Sequence, residues 1–571
     1  MAAGVGVDEL RVLDGPNLYF PRPAVKLTLS VPGWLAASET RVRRAAERIG
    51  MSGAARPGAP GSEQRRRVAM RLAATFARRA AVASGARRLA VRARPGPGPD
   101  QIIVAFPWRH RDAAEALARE TAAGMEALLQ GRSPSRLVAA AAARLSAVAP
   151  GPEPVVPDPD LPVVQVTGTN GKTTTVRLLA HIVRSADRTV AYSSTDGVYR
   201  DDGTLVERGD YSGFGGAAMA LAQRPDVAVL ETARGGLLLR GCGVQHNDVA
   251  VVTNVSEDHL GLHGVDTVDQ LSEVKAIITR ITRPGGWDVL NADDPRVLAM
   301  RRHATGFAWV FSLHPDHPAF REVLAEGGRA MTIMDGRMTW LEGHDAHPLV
   351  ALLDVPVTMA GVSSVYTQDA MAAAAAALAV GIPARAVAKG LRTFVPDAER
   401  NPGRANVFTL DGRIVVIDYA HNEAGMVGLT ELLEGLRPRG GEVWVAICTA
   451  GDRTDAILQA FAFRAAVGSD HLAVAELVHY LRGRSRDDLI DQLRAGADDA
   501  GVIDVPVYDD ELHALRGMLR ASQPGDVISV TALGMRPEIF AWLKRRKAER
   551  SGPGDVKRMV RRARAGAGRA T

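Results

Sequence analysis

The chain has 571 residues, of which 46% are hydrophobic and 23% charged, and its formal net charge is +6. This length exceeds what one hydrophobic core can organise, so we expect several domains. No apolar run is long enough for a membrane helix and no signal peptide is recognisable, which predicts a soluble, cytoplasmic protein. Two cysteines, Cys242 and Cys448, exclude a disulfide framework and a cysteine-rich metal site.

Residues 1–150 predict a small α+β domain. We expect strands at 12–20, 24–31 and 102–108, and helices at 63–93 and 111–129. Ten arginines and no acidic residue lie between Arg65 and Arg94. Such a run is typical either of a solvated helix face or of an anion-binding face, and the sequence leaves both open.

The rest of the chain predicts two α/β domains and a tail. A proline-rich linker at 151–162 precedes a central domain at 163–400, in which apolar strands alternate with helices, the pattern of a mostly parallel sheet. A second α/β domain, Rossmann-like, follows at 401–543. Residues 544–571 carry eleven basic and two acidic residues and predict a flexible basic tail, without membrane or nucleic-acid contact as the favoured function.

The most informative motif is GTNGKTTT at 168–175, directly after the apolar run VVQVT. Gly168 and Gly171 allow backbone N–H groups to turn toward an anion, the Lys172 ammonium can reach terminal phosphates, and the Thr173 hydroxyl can bind Mg²⁺. The motif predicts a phosphate-binding loop for a nucleoside triphosphate.

Further polar residues follow the ends of the next predicted strands. Glu231 ends VAVLE, His259 follows VAVVTNVSED, and Asn291 ends DVLN. A single residue of this kind is usually structural, but a phosphate loop combined with a carboxylate and an imidazole at strand ends favours a magnesium–nucleotide site.

Together these motifs resemble the Mur ligase family. GTNGKTTT, TNVSEDHLGLHG, VLNADDP, PGR at 402–404 and DYAHN at 418–422 occur in the order and spacing of that family. GDYSG, LETARGGLL and YLRGR are most similar to the ligase half of the cyanophycin synthetases. The similarity runs from about Val163 to Leu543, and residues 1–150 resemble more weakly the amino-terminal domain of the same group.

The resemblance implies an ADP-forming ligase that joins an amino acid or other amine to a carboxylate through an acyl phosphate, with ATP and two Mg²⁺ ions. It implies that Lys172 holds the phosphates, that Thr173 and Glu231 bind one Mg²⁺, and that His259 binds the second. The implied nucleotide contacts are Gly168, Thr169, Asn170, Gly171, Lys172, Thr173, Thr174, Asn291 (adenine), Arg404 (phosphates), Asp418 (ribose and hinge) and His421.

Lys275 lies where many members of the family carry a carbamylated lysine. Only seven of the 70 basic residues are lysines, so each lysine in a motif suggests a chemical requirement that arginine cannot meet. A carbamate would turn the Lys275 cation into a carboxylate-like group that supports Mg²⁺. The alternative is an ordinary ammonium near the phosphates.

The sequence also departs from its resemblance. The ATP-grasp module of the cyanophycin synthetases has no counterpart here, so we do not expect the chain to make their alternating polymer alone. Ser363–Asp369 replaces an asparagine-containing segment of the family, and Arg453, Arg482 and Arg484 are either amino-acid contacts or surface residues. A catalytically idle ATP-binding scaffold, or regulatory partner of a cyanophycin-type system, and a P-loop phosphotransferase stay as alternative functions; homo-oligomerisation is left open.

Overall fold

The computed structural model describes residues 4–51, 56–258, 260–476 and 478–567. They form an N-terminal, a central and a C-terminal domain, each built on its own sheet. Within these ranges, no helix combines the length and the apolar character that crossing a membrane requires.

The N-terminal domain is an antiparallel sheet of order β1-β2-β4-β3 with helices packed on it. Its elements are β1 (Gly6–Leu13), β2 (Ala24–Ser30), α1 (Pro32–Ala36), α2 (Glu39–Arg48), α3 (Glu63–Ala83), β3 (Arg92–Pro95), β4 (Gln101–Pro107), α4 (Arg111–Leu129) and α5 (Pro134–Ser146).

Two of the predicted boundaries in this domain are wrong. The first strand ends at Leu13, because the next residues form a turn in which the Asn17 side chain accepts hydrogen bonds from the N–H groups of Tyr19 and Phe20. The helix that we predicted to continue to residue 93 ends at Ala83, and the chain returns as strand β3 along β4. The apolar pattern predicted a strand through residue 20, but the residues around Asn17 form an Asx-type turn instead.

The central domain is an eleven-stranded sheet of order β15-β14-β13-β12-β11-β10-β5-β9-β6-β7-β8. The seven strands from β13 to β6 are parallel, and antiparallel strands complete both ends. Its elements are β5 (Val163–Thr167), α6 (Lys172–Arg184), β6 (Val190–Ser194), β7 (Gly197–Tyr199), β8 (Leu205–Arg208), α7 (Phe214–Leu221), β9 (Val227–Glu231), α8 (Arg234–Leu239), β10 (Asn247–Val252), α9 (Val268–Lys275), β11 (Thr282–Asn291), α10 (Pro295–Ala299), β12 (Phe307–Phe311), α11 (Ala319–Ala325), β13 (Arg329–Met334), β14 (Arg337–Glu342), β15 (Asp345–Ala351), α12 (Ser364–Ala379) and α13 (Ala384–Thr393).

Apolar cores on both faces of this sheet account for its near-continuous hydrophobic strands. Helices α6, α12 and α13 cover one face, and α9 with its neighbours covers the other. Helix α12 is alanine-rich because it packs closely along α6, where larger side chains would not fit. This layering places the carboxyl ends of the parallel strands, and the loops that follow them, at one edge.

The C-terminal domain is a seven-stranded sheet of order β20-β19-β18-β21-β17-β16-β22, with β20 to β17 parallel. Its elements are β16 (Asn406–Leu410), β17 (Arg413–Asp418), α14 (Glu423–Leu436), β18 (Val443–Ile447), α15 (Asp455–Val467), β19 (His471–Ala475), α16 (Arg486–Asp498), β20 (Val507–Tyr508), α17 (Glu511–Ala521), β21 (Val527–Thr531), α18 (Arg536–Arg545), β22 (Glu549–Arg550) and α19 (Pro553–Ala567). The predicted fold class, a parallel-sheet P-loop domain followed by a second α/β domain, is confirmed.

The predicted flexible tail after Leu543 is wrong for residues 544–567. Strand β22 pairs with β16, and Val556 and Val560 of helix α19 are buried. Lys557 of the same helix forms an ion pair with Asp354 of the central domain. Basic residues on the exposed side of an amphipathic helix gave the segment its tail-like composition, while the spaced valines form its buried face.

Candidate active site

A cavity of about 710 Å³ lies between the central and C-terminal domains. The phosphate loop, Glu231 and Lys275 line it from the central domain, and Arg404, Asp418 and His421 line it from the C-terminal domain. Segments that are far apart in the sequence therefore converge on a single site. The cavity lies at the carboxyl ends of parallel strands, where open α/β sheets bind ligands.

The phosphate loop connects strand β5 to helix α6. Gly171 has a φ of 87°, in the left-handed region, and a Cβ atom there would lie 2.1 Å from Oδ1 of Asp369. The glycine is thus required twice, by its backbone conformation and by the close approach of α12. The loop ends at the N-terminus of α6, whose free N–H groups and dipole favour an anion.

The Lys172 ammonium lies over the phosphate loop. Its Nζ donates to the carbonyl oxygens of Gly168 at 3.1 Å and Thr169 at 2.9 Å, and the side chain lines the cavity. Both acceptors are weak neutral partners for a full positive charge, so phosphate oxygens would compete effectively for it. This position fits the predicted role of Lys172 in holding phosphates.

Thr173 and Glu231 form a compact oxygen cluster at the start of α6. The Thr173 hydroxyl donates to Oε2 of Glu231 at 2.9 Å and lies 3.3 Å from the Thr195 hydroxyl. Glu231 is 1% exposed, and burial raises the pKa of its carboxyl. Its Oε1 has no hydrogen-bond partner among the described residues.

This cluster fits a magnesium ion. Mg²⁺ is usually held by one or two protein oxygens together with substrate phosphates and water, rather than by a complete protein cage. In the part of the chain that the structure describes, no three His, Cys, Asp or Glu side chains are grouped to hold a metal by themselves. The unpartnered Glu231 oxygen beside a hydroxyl and a phosphate loop matches that requirement. The predicted ligand of the second Mg²⁺, His259, lies outside the described residues.

Lys275 ends helix α9 and is 4% exposed. Its Nζ donates to the carbonyl oxygen of Gly168 at 2.6 Å, which places it directly behind the phosphate loop. Burial, together with the positive charge of Lys172, lowers the pKa of the Lys275 ammonium well below its ordinary value. A lowered pKa favours the neutral amine, which is the nucleophilic form that reacts with carbon dioxide.

Asn291 is buried at the end of β11 and is not among the residues lining the cavity. Its amide donates to the Thr253 carbonyl oxygen at 2.8 Å and accepts from the Asp293 N–H at 3.0 Å. The side chain therefore fixes the loop after β10. The predicted adenine contact would require Asn291 to exchange these partners.

Three predicted residues line the cavity from the C-terminal domain. The Arg404 guanidinium lies over the Tyr419 ring, 4.0 Å from its centroid, and its Nη1 donates to the Gly403 carbonyl oxygen at 3.2 Å. Asp418 accepts from the Tyr366 hydroxyl at 2.7 Å and the Ala405 N–H at 2.8 Å. His421 Nδ1 lies 2.8 Å from the Tyr419 carbonyl oxygen. Asp418 thus joins α12 to the segment that precedes β16.

The phosphate loop itself contacts the C-terminal domain. The side-chain amides of Asn170 and Asn422 exchange two hydrogen bonds of 3.0 Å each. The sequence indicated both motifs but could not indicate that they pair. The contact couples the conformation of the loop to the position of the second domain.

Asp196 forms a second bridge between the domains, which the sequence analysis missed. Its carboxylate accepts from Arg177 of α6 at 2.8 Å and from Arg536 of α18 at 2.7 Å. Although burial acts to raise it, the pKa of Asp196 is lowered because Arg536 and Arg177 face the carboxylate. Asp196 directly follows Thr195, so this ion cluster adjoins the Thr173–Glu231 oxygen cluster.

We expect Arg536→Ala to lower kcat/KM for ATP about tenfold, because Asp196 loses one of two charged partners at a partly buried site. Steady-state kinetics measures this change. Arg546→Ala is the matched control, since Arg546 follows the same helix and pairs with Asp411 at the surface. Equal kcat/KM values for Arg536→Ala and Arg546→Ala would show that the ion pair between Asp196 and Arg536 does not help to hold the two domains together for catalysis.

Other polar residues complete the rim. Asp369 ends the segment Ser363–Asp369, in which the sequence departs from the family, and it lines the cavity beside Gly171. Burial raises the pKa of its carboxyl well above the ordinary value. Arg453 is buried and pairs with Asp258 across the domain boundary at 3.3 Å. Arg484 donates to the Arg453 carbonyl oxygen, and Arg482, which lines the cavity, pairs with Asp452. Of these three arginines, Arg482 is therefore the one exposed to the cavity.

Comparison with known proteins identifies the two α/β domains. The Mur ligase middle domain matches residues 166–336, and the Mur ligase glutamate ligase domain matches residues 403–534. Cyanophycin synthetase of Synechocystis sp. is 39% identical over 337 residues, which are 59% of this chain and 38% of that protein. The chain thus spans well under half of the cyanophycin synthetase that it matches.

A second relative is covered more completely. UDP-N-acetylmuramoyl-L-alanyl-D-glutamate–2,6-diaminopimelate ligase of Corynebacterium efficiens is 28% identical, over 76% of this chain and 82% of that protein. Among solved structures, E. coli FolC in complex with DHPP and ADP is similar with a TM-score of 0.51 and 19% identity, over 69% of this chain and 91% of that one.

The bifunctional folylpolyglutamate synthase/dihydrofolate synthase of Yersinia pestis, complexed with AMPPNP and a Mn ion, has a TM-score of 0.50 and 18% identity, over 68% and 90% of the two chains. At these identities the structural similarity establishes the fold. The two domain matches confirm the resemblance read from the motifs, and together they cover more than half of the residues. The chain belongs to the Mur ligase family.

Proposed function

We propose that this protein is an ATP-dependent, ADP-forming ligase that joins a carboxylate to an amine. The observation that carries the proposal is the cavity itself: a phosphate loop with Lys172, Thr173 and Glu231 on one side faces Arg404 of a second domain on the other. Simple phosphate transfer does not require residues of a second domain in the site. A ligase does, because its activated intermediate must meet an amine before it meets water.

The proposed reaction has two steps. A carboxylate oxygen of the acceptor attacks the γ-phosphorus of ATP, the bond to the β–γ bridging oxygen breaks, and ADP leaves. The neutral nitrogen of the amine then attacks the acyl carbon of the acyl phosphate, and inorganic phosphate leaves. The amine proton passes to solvent or to the departing phosphate. Both steps concentrate negative charge, so the enzyme contributes mainly positive groups and alignment.

The residues of this chain fit those requirements. The Lys172 ammonium would bind the terminal phosphates, and the guanidinium of Arg404 would approach the same phosphates from the opposite wall. Thr173 and Glu231 would hold a Mg²⁺ ion, which when bound neutralises phosphate charge. The bridges Asn170–Asn422 and Asp196–Arg536 would keep the domains closed while the acyl phosphate exists.

Lys275 would act as a carbamate in this proposal. Its amine is buried behind the phosphate loop, 2.6 Å from the Gly168 carbonyl oxygen. Addition of carbon dioxide to the neutral amine forms a new N–C bond and releases one proton. The resulting anion would place a negative group behind the phosphate loop, where it balances the charges of Lys172 and Mg²⁺.

An ADP-release assay tests the ligase function. The purified protein is incubated with MgATP, one carboxylate acceptor and one amine at a time, drawn from amino acids and small peptides, and the products are weighed by mass spectrometry. We expect ADP release that requires both the acceptor and the amine, with a product one water lighter than their sum. ADP formation that is equal without any amine, or ATP binding without turnover, would overturn the ligase proposal and favour the phosphotransferase or the scaffold.

A further inference from the structure

Asp369 is a buried acidic side chain to which the proposed reaction assigns no part. It lies in the second turn of helix α12 and is 2% exposed. A Cβ atom at Gly171 would lie 2.1 Å from its Oδ1, so the carboxyl group packs directly against the phosphate loop. The side chain also lines the cavity between the central and C-terminal domains. A ligand bound at the phosphate loop would therefore come close to this carboxyl group.

The Asp369 carboxyl group has an oxygen without a partner. Its Oδ2 is buried and has no hydrogen-bond partner among the described residues. The hydroxyl of Thr175 on α6 faces the carboxyl group without completing a hydrogen bond to it, and the hydroxyl of Tyr366 donates to Asp418 instead. Burying an ionised carboxylate without such partners costs far more free energy than burying the neutral acid. The surroundings of Asp369 therefore favour its protonated form.

Two cations act on Asp369 from the walls of the cavity. Burial raises the pKa of the Asp369 carboxyl well above its ordinary value, although Arg404, Lys172 and the Thr175 hydroxyl act to lower it. The hydrogen bonds of both cations go elsewhere: Lys172 donates to carbonyl oxygens of the phosphate loop, and Arg404 donates to the Gly403 carbonyl oxygen. The two cations thus weaken the effect of burial without cancelling it.

A bound nucleotide would remove the influences that favour the Asp369 carboxylate. In the proposed function Lys172 and Arg404 bind the phosphates, which neutralise the positive charge of both side chains. The phosphates also bring negative charge to the loop against which Asp369 packs. Burial and a nearby charge of the same sign both disfavour an ionised carboxyl group. The nucleotide complex would therefore hold the proton on Asp369 more tightly than the free protein does.

We propose that nucleotide binding is coupled to the uptake of one proton from solvent by the carboxylate of Asp369. The proton turns a group that repels the phosphates into a neutral acid with an O–H donor. The proposal rests on the proposed function, which supplies the phosphates at the loop. It adds a control by pH. Because protonation favours binding, nucleotide affinity falls as the pH rises through the pKa that Asp369 has in the free protein.

Isothermal titration calorimetry with MgADP, from about pH 6 to about pH 9, tests this coupling on the full-length protein. MgADP carries phosphates that such loops bind, and it permits no turnover. Asp369→Asn keeps the shape of the protonated acid and offers one donor group and one acceptor. We expect this variant to keep its affinity as the pH rises and, at the alkaline end, to bind MgADP about tenfold more tightly than the unmodified protein.

Asp316→Asn is the matched control. Asp316 is exposed in the loop after β12 and lies outside the cavity lining, so the substitution removes the same charge far from the phosphate loop. Its affinity for MgADP should fall with rising pH as in the unmodified protein. The ionisation of ADP itself affects all three proteins equally and cancels in the comparison. Titrations in two buffers of different ionisation enthalpy should show a smaller proton uptake by Asp369→Asn than by the other two proteins.

Equal pH dependence of all three proteins would overturn the coupling and leave the nucleotide site intact. Weaker MgADP binding by Asp369→Asn at every pH, with an unchanged thermal unfolding midpoint, would overturn it too. The ionised carboxylate would then be required, as it would be for a Mg²⁺ ligand. If none of the three proteins binds MgADP, the nucleotide site of the proposed function fails and the coupling fails with it.

Discussion

Replacing Lys172 by alanine should abolish ATP turnover, with a loss of about a thousandfold or more. The ammonium donates to two carbonyl oxygens of the phosphate loop, and in the proposed reaction it would bind the phosphates on which negative charge develops as ADP leaves. Removing one well-placed donor from a developing oxyanion typically costs a hundredfold to a thousandfold. A coupled ADP-release assay with saturating amine measures the loss.

Lys389→Ala is the matched control for this substitution. Lys389 is exposed on α13 and lies outside the cavity lining. We expect the control to retain full activity and the same thermal unfolding midpoint as the Lys172 variant. Substantial ADP release by Lys172→Ala would show that the phosphates bind elsewhere.

Lys275→Ala should lose ligation, and short carboxylic acids should restore part of it. The substitution removes both the amine and the carbamate that we propose, and it leaves a space behind the phosphate loop that acetate or propionate can fill. Burial lowers the pKa of the Lys275 ammonium, which favours the neutral amine that carbamate formation requires. Initial rates with increasing concentrations of added acid measure the rescue.

Lys275→Met provides the control for rescue. Methionine fills most of the lysine volume without an amine, so acids should find no space and activity should stay low. Unchanged activity of Lys275→Ala would eliminate a role for the carbamate. Two results together would favour an ordinary Lys275 ammonium over the carbamate. The first is that added acids fail to restore the activity of Lys275→Ala, and the second is that the unmodified protein keeps full activity in carbonate-free buffer.

The functional residues that the sequence indicated lie close together along the chain. The phosphate loop could be predicted because its glycines, lysine and threonine act through backbone conformation and through groups a few residues apart. The alternation of strands and helices likewise predicted the mostly parallel sheet of the central domain. Both depend on short-range patterns that a single sequence displays.

The contacts that close the site could not be predicted in this way. Asp196 and Arg536 are 340 residues apart, and neither stands in a recognisable motif. Asn291 was expected at the cavity, but its amide is buried in hydrogen bonds that depend on the loop beside it. Such pairs arise from the packing of two domains, which leaves no periodic signal in the sequence.

Helix α19 has a consequence for how the site can open. The chain passes from the central to the C-terminal domain near Val395, and Val556 of α19 lies with Val395 around the same small apolar cleft. The ion pair between Lys557 and Asp354 adds a second point of attachment. Helix α19 therefore attaches the C-terminal domain to the central domain beside the covalent connection between them. An opening that moves the C-terminal domain away from Asp354 must therefore break the Lys557–Asp354 ion pair or first detach the last helix from its own domain.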